Sequence, residues 1–298
     1  MSVLADLSNG LAAVVTDAGP SVVRIEGRKR IPATGIVWSA DGLIITAHHI
    51  VTHDENIKVG LADGSTVNAT LVGRDPTTDL AVLRADAAQL TPFIEANKNE
   101  LSVGNFVLAL GRPGKTVQAT LGIVSALGES WRTGMGGMID RYLQTDLVMY
   151  PGFSGGPLVD VNGHLVGLNT SALVRGVSIA VPTPTLTNVA DSLLAHGRVK
   201  RGYLGVSTQQ VRLPDAARDE LGQKRGLLIV SVESGSPAAQ AGLTLGDTIV
   251  VIADTPVQNH DDLLAQLTPD RVGQATPIKI LRGGQVSTKD VTIGERPS

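Results

Sequence analysis

The first two-thirds of the chain is a succession of short apolar segments, at 22–25, 35–38, 43–46, 67–72, 106–110, 117–124, 165–169 and 177–181, each ended by glycine or polar turn residues. Segments of this length and spacing read as strands, and the pattern points to antiparallel β-barrels. Only eight of the 298 residues are Phe, Trp or Tyr, so the core must be built from Val, Leu, Ile and Ala. The length exceeds that of a usual single domain, which implies two folded units, each able to bury its own core. There is no cysteine. Disulfides, thiolate catalysis and zinc–cysteine sites are therefore excluded, while the redox compartment stays open.

Among these strands stands Gly152-Phe153-Ser154-Gly155-Gly156-Pro157. A serine between glycines on a tight turn exposes a hydroxyl beside free backbone N–H groups, so nucleophile and oxyanion hole are built together. The string also fits the nucleophile elbow of α/β-hydrolases, in which the acid and the histidine follow the serine. Here the better partners precede it: a histidine in Thr46-Ala47-His48-His49 and an aspartate in Thr77-Thr78-Asp79-Leu80. Each has a plain structural reading, His49 as a hydrogen-bonded rim residue and Asp79 as a turn cap before a strand. The order histidine, aspartate, serine is that of chymotrypsin-type enzymes.

Further landmarks accompany the three: Thr34-Gly35-Ile36-Val37, Asp41-Gly42-Leu43-Ile44-Ile45-Thr46, Gln144-Thr145-Asp146 and Pro151. In order and spacing these segments resemble the HtrA/Deg serine proteases, over most of 20–185 and on into the C-terminal third. The resemblance implies a mainly β fold: a chymotrypsin-like double β-barrel protease domain over 1–198, with 1–20 as an N-terminal extension, then a small α+β PDZ domain over 202–298. Carried over position by position, it makes His49 the general base, Asp79 its orienting acid and Ser154 the nucleophile, with the N–H groups of Gly152 and Ser154 as the oxyanion hole. His48 points to another side of the chain than its neighbour, and the family register selects His49. The implied activity is endopeptidase cleavage of unfolded or damaged polypeptides without a cofactor or metal. A peptide-binding scaffold or chaperone with a latent protease domain is the alternative. Relatives usually carry Asn where Phe153 stands, and bulky Phe153 is expected to act either on the switching of the oxyanion turn or on the substrate side.

In trypsin-like proteases a carboxylate six residues before the nucleophile selects basic side chains. Val148 holds that position here, with Met149 beside it. A cationic residue would lose its hydration there without a counter-charge, so cleavage after small or medium aliphatic residues is expected. Val148, Met149, Thr170 and Ala172 are the expected substrate pocket, with the substrate backbone pairing near 170–172.

Segment 186–196 reads as a helix ended by Gly197, and a basic linker, 198–201, follows. Gly202-Tyr203-Leu204-Gly205-Val206 resembles the carboxylate-binding loop of a PDZ domain. Consecutive N–H groups in such a loop, here from Tyr203, Leu204, Gly205 and Val206, would hold a peptide C-terminus, and the adjoining strand edge would add the peptide as a further strand. Segment 261–267 reads as the groove helix, although Leu263 and Leu267 also suit plain core positions.

A net charge of −3 offers no basic field, which argues against nucleic acid as a partner. No signal peptide is visible in 1–15 and no run reaches membrane-spanning length. The expectation is a cytoplasmic protein, or a periplasmic one whose leader has been removed. HtrA relatives are commonly trimers built through the start of the protease domain, so a homotrimer is expected by resemblance.

Overall fold

Strands in the computed structural model close on themselves twice before residue 183. The structure describes residues 2–29, 31–96 and 101–296 and divides into two compact units, Met1–Val199 and Lys200–Ser298. The first barrel is formed by β1 (Val22–Glu26), β2 (Ala33–Val37), β3 (Leu43–Ala47), β4 (Ile57–Gly60), β5 (Thr66–Asp75) and β6 (Leu80–Ala85), in the cyclic order β1-β2-β3-β6-β5-β4. After β7 (Phe106–Gly111) and β8 (Gln118–Leu127) comes a short hairpin of β9 (Trp131–Arg132) and β10 (Met138–Ile139). The second barrel is then completed by β11 (Leu143–Thr145), β12 (Pro157–Val159), β13 (Leu165–Thr170) and β14 (Ser178–Pro182), in the order β11-β14-β13-β12-β7-β8. All pairings within both barrels are antiparallel.

β2 and β3 are buried along their whole length. Their side chains fill the first barrel together with Val82, Leu83 and Ile57, and the same core takes in Leu165, Leu168 and Val181 from the second. Helix α2 (Thr183–His196) seals this junction with Leu186, Val189, Ala190 and Leu193. It ends as expected at Gly197, whose φ of 70° closes the last turn by an N–H bond to Leu193 O.

The N-terminal extension also holds a helix that the strand pattern overshadowed, α1 (Val3–Ala18), with the Ser2 hydroxyl accepting from Ala5 N–H as its cap. Leu11, Val14, Val15 and Ala18 recur at helical spacing and pack against Val22, Leu108, Leu110 and Val159.

The second unit is a sheet in the order β16 (Val206–Arg212), β17 (Arg225–Val232), β18 (Thr248–Ile252), β20 (Ala275–Arg282), β21 (Gln285–Thr292), with β19 (Thr255–Pro256) pairing β18. Strand β15 (Gly202–Tyr203) pairs β22 (Gly294–Glu295) beside it. Helices α3 (Asp215–Leu221), α4 (Pro237–Gln240) and α5 (His260–Gln266) complete it. Leu263 is buried among Leu227, Ile229, Ile252 and Ile278, so the core reading of that leucine holds, and Leu267 packs at the margin of the same cluster.

Candidate active site

β3 delivers its last residue, Ala47, into a single 3-10 turn, His48–Ile50, which carries His49 away from the barrel wall. The His49 N–H donates to Asp79 Oδ1 at 2.9 Å. Its ring Nδ1 lies 2.8 Å from Oδ2 and 3.1 Å from Oδ1. An ionised carboxylate only accepts, so Nδ1 carries the proton and Nε2 keeps its lone pair. His48 meets Asp79 only at the backbone, its N–H donating to Asp79 O at 3.0 Å. Its Nδ1 is buried without a partner among the described residues, and burial, followed by the nearby Arg74 charge, holds its pKa below the ordinary histidine value.

Asp79 occupies a conformation that side chains rarely adopt, with φ 57°, and is 3% exposed. Its loop is fixed by Asp75, whose Oδ1 accepts from Thr77 N–H at 3.1 Å and the Thr77 hydroxyl at 2.8 Å, and whose Oδ2 accepts from the Thr78 hydroxyl at 2.7 Å. The β9–β10 hairpin braces the same loop: the Thr133 hydroxyl donates to Thr77 O at 2.7 Å. The Thr170 hydroxyl, from the second barrel, donates to Asp79 Oδ2 and accepts from Ala172 N–H at 3.1 Å.

Ser154 sits on a turn that only glycines could complete. Gly152 has φ 93° and a Cβ there would lie 2.6 Å from Pro113 Cβ; Gly155 has φ 85° and its Cβ would lie 2.2 Å from Thr34 O. The turn is tied to β13 by bonds from Gly155 N–H to Asn169 O and from Asn169 N–H to Gly156 O, both 2.9 Å. Among the described residues, neither the Gly152 nor the Ser154 N–H has a hydrogen-bond partner. Ser154 Oγ lies 3.3 Å from Ser171 Oγ and is not hydrogen-bonded to His49. In free enzymes such bonds are often long and tighten once substrate is bound.

Two expectations need correction. Thr170 is 1% exposed and its hydroxyl serves Asp79, so its side chain does not line a pocket. Phe153 does not face substrate: it is fully buried with Val107, Ala109, Leu147 and Leu158 and meets the Tyr150 ring edge-on at 5.9 Å. Its ring fills the space that a side chain at position 111 would need, and a Cβ added to Gly111 would lie only 2.6 Å from it. Of the other expected pocket residues, Val148 and Ala172 are exposed and Met149 is half-buried. A cavity of about 410 Å³ lies elsewhere on the second barrel, lined by Leu101, Phe106, Arg141, Asp160 and Pro182 among others.

In the second unit, Gly205 has φ 76°, Leu204 is buried, and the loop is anchored by Ala238 N–H to Leu204 O and Glu233 N–H to Gly205 O. The Tyr203 hydroxyl donates to Glu233. β16 leaves this loop as an edge strand. Opposite it, His260 Nε2 lies 3.0 Å from both Thr208 O and Thr208 Oγ1, and the Gln210 side chain donates to Gln258 O at 2.8 Å.

The family model of the trypsin-like peptidase domain matches residues 33–168 and that of the PDZ domain matches 202–293. The chain is similar to HhoB, a protein of Synechocystis sp. named as a serine protease, with 34% identity over 283 residues that cover 91% of this chain and 68% of the relative. Among solved structures it resembles the serine endoprotease of Yersinia pestis, with 34% identity, a TM-score of 0.79, and 96% and 98% of the two chains covered. An HtrA-type protease, AlgW with a decapeptide, superposes with a TM-score of 0.80 at 30% identity over 97% of this chain and 99% of that one. The chain belongs to the HtrA family of serine proteases. A periplasmic DegP-like serine endoprotease of Pseudomonas putida (strain W619) is 37% identical over 270 residues, which cover 89% of this chain. This HtrA chain spans about 56% of that relative's length. No helix among the described residues is long and apolar enough to cross a membrane.

Proposed function

We propose that this chain is a serine endopeptidase of unfolded polypeptides. The observation that carries the reading is the buried Asp79 carboxylate: it orients His49 through two nitrogens while the serine turn, with two unpaired N–H groups, is tied to the strand that bears Thr170. His49 Nε2 takes the Ser154 hydroxyl proton as Oγ bonds to the peptide carbonyl carbon, and Asp79 stabilises the imidazolium. The Gly152 and Ser154 N–H groups hold the tetrahedral oxyanion. Collapse breaks the C–N bond, with the His49 proton passing to the departing amine, and a water activated by the same imidazole releases the acyl group.

Val148, Met149 and the backbone at Ala172 form the substrate side in this reading, favouring small or medium aliphatic residues before the cleaved bond. The 203–206 loop and the β16 edge take up peptide C-termini. Exposed Val3, Leu4 and Leu7 on α1 suit self-association as a trimer, and the periplasmic names of relatives support that compartment.

The test is cleavage of casein, with sites mapped by mass spectrometry. Ser154→Ala and His49→Ala should each lower kcat by about 10⁶, Asp79→Asn by roughly 10⁴, and a serine-directed inhibitor should block the wild type. His48→Ala should keep most activity. A dead His48→Ala beside an active His49→Ala would overturn the assignment, and a dominant preference for Lys or Arg would overturn the pocket.

A further inference from the structure

A single buried residue of the first barrel grips the serine turn of the second at both ends. Thr34, in β2, has no exposed surface. Its N–H donates to Ser154 O at 3.3 Å, and its hydroxyl donates to Gly152 O at 2.7 Å. The direction of that second bond follows from the hydroxyl's other partner. Arg112 N–H donates to Thr34 Oγ1 at 2.9 Å, and since a hydroxyl has one proton and accepts through its lone pairs, the proton is left for Gly152. Thr34 O in turn accepts from the Thr46 hydroxyl at 2.7 Å, so every polar atom of the residue is engaged.

Arg112 is itself held firmly. Its guanidinium is buried and donates to Val22 O at 2.7 Å, Gly19 O at 2.8 Å and Lys115 O at 2.9 Å. These carbonyls belong to the end of the N-terminal segment and to the loop that carries Pro113, the residue packed against Gly152. The turn lies so close to Thr34 that a Cβ at position 156 would come within 3.0 Å of its methyl. The carbonyls of Gly152 and Ser154 are thus pinned by one residue, and the N–H groups of the same two residues remain unpaired.

We infer that Thr34 is the positioning residue of the oxyanion turn: its hydroxyl fixes the Gly152–Phe153 peptide so that the Gly152 and Ser154 N–H groups stay free to receive the oxyanion. This rests on the peptidase reading of the site. Thr34 touches no substrate and acts through the turn. Deleting one oxyanion donor outright costs about 10²–10³ in kcat. Loosening the turn that carries both should cost about 10- to 100-fold, in kcat and not in KM, because the ground-state carbonyl draws little on these donors.

The test compares the full-length wild type, Ser154→Ala, Thr34→Val, Thr34→Ala and Thr34→Ser on a cleavable peptide. It adds binding of a peptide boronate, whose tetrahedral adduct with Ser154 places a negatively charged oxygen in the hole. Thr34→Val and Thr34→Ala should lose kcat by about 10- to 100-fold with KM within about threefold, and boronate affinity should fall by the same factor. Thr34→Ser, which restores only the hydroxyl, should return both to within about threefold of wild type. A kcat and boronate affinity for Thr34→Val close to wild type would overturn the inference and leave the peptidase reading intact. A wild type as inert as Ser154→Ala would overturn both. Should the two deletions fail to fold, Thr34→Cys, with similar bulk and a weak donor, faces the same criteria.

Discussion

Replacing Thr170 by valine removes one hydroxyl and keeps the shape of the side chain. In the native site that hydroxyl accepts from Ala172 N–H at 3.1 Å, which directs its proton to Asp79. Asp79 is 3% exposed, so water cannot replace the lost donor. A hydrogen bond to a charged group contributes about 1.5–3 kcal/mol. If all of it is expressed where the imidazolium forms, kcat/KM falls by about 10- to 150-fold. The ceiling is set by loss of the carboxylate's charge, roughly 10⁴. The same loss should lower the unfolding midpoint by about 2–4 °C per kcal/mol. Thr170→Ser should be close to wild type. The decisive measurement is a double-mutant cycle on an activated ester: in an Asp79→Ala background the Thr170→Val effect should vanish, because the partner has gone. A Thr170→Val enzyme within about threefold of wild type, or an equal loss with and without Asp79, would refute the argument.

Two further outcomes follow from the second unit. A peptide with a free hydrophobic C-terminus should bind the 203–206 loop, and its amidated form should not; equal binding in calorimetry would refute the carboxylate assignment, and deleting 202–298 should abolish binding while leaving short-peptide hydrolysis possible. Burial alone would raise the Asp247 pKa, but hydrogen bonds from Arg282 and Thr244 N–H outweigh it and hold the carboxyl below its ordinary value. A depressed carboxylate contributes stability above its unfolded pKa, near 4, and that contribution is lost as pH falls through the folded value. Hydrogen exchange at Ile249 should therefore show the second unit weakening below about pH 4, and Asp247→Asn should flatten that slope.

Most barrel strands are legible in the sequence because they carry their own local pattern, whereas β4, β11 and β12, only three or four residues long, are too short to show one. Segment 43–46 agrees to within a residue with Leu43–Ala47, and 106–110 to within one with Phe106–Gly111. α1 is equally local, its Leu11, Val14, Val15 and Ala18 face plain at helical spacing, yet the run of strands that follows draws attention from it. What lies beyond reach are side chains whose meaning comes from partners far along the chain. Thr34 is visible only as a landmark, since Gly152 lies 118 residues away. Thr170 falls along the expected substrate path because nothing near it signals Asp79, 91 residues earlier. Phe153 looks outward on the turn because the gap left by Gly111 is a property of the folded barrel.

The two barrels hold each other's chemistry: Thr34 of the first fixes the serine turn of the second, and Thr170 of the second fixes the aspartate of the first. Neither half can acquire a competent site alone, however well folded. α2, the last element of the first unit, packs Leu186, Val189 and Leu193 into the joint between them, so docking is complete only once residue 193 has emerged and found its place. On the peptidase reading proposed above, a chain still being synthesised, or one whose barrels have come apart, would lack a competent site and leave its neighbours uncut.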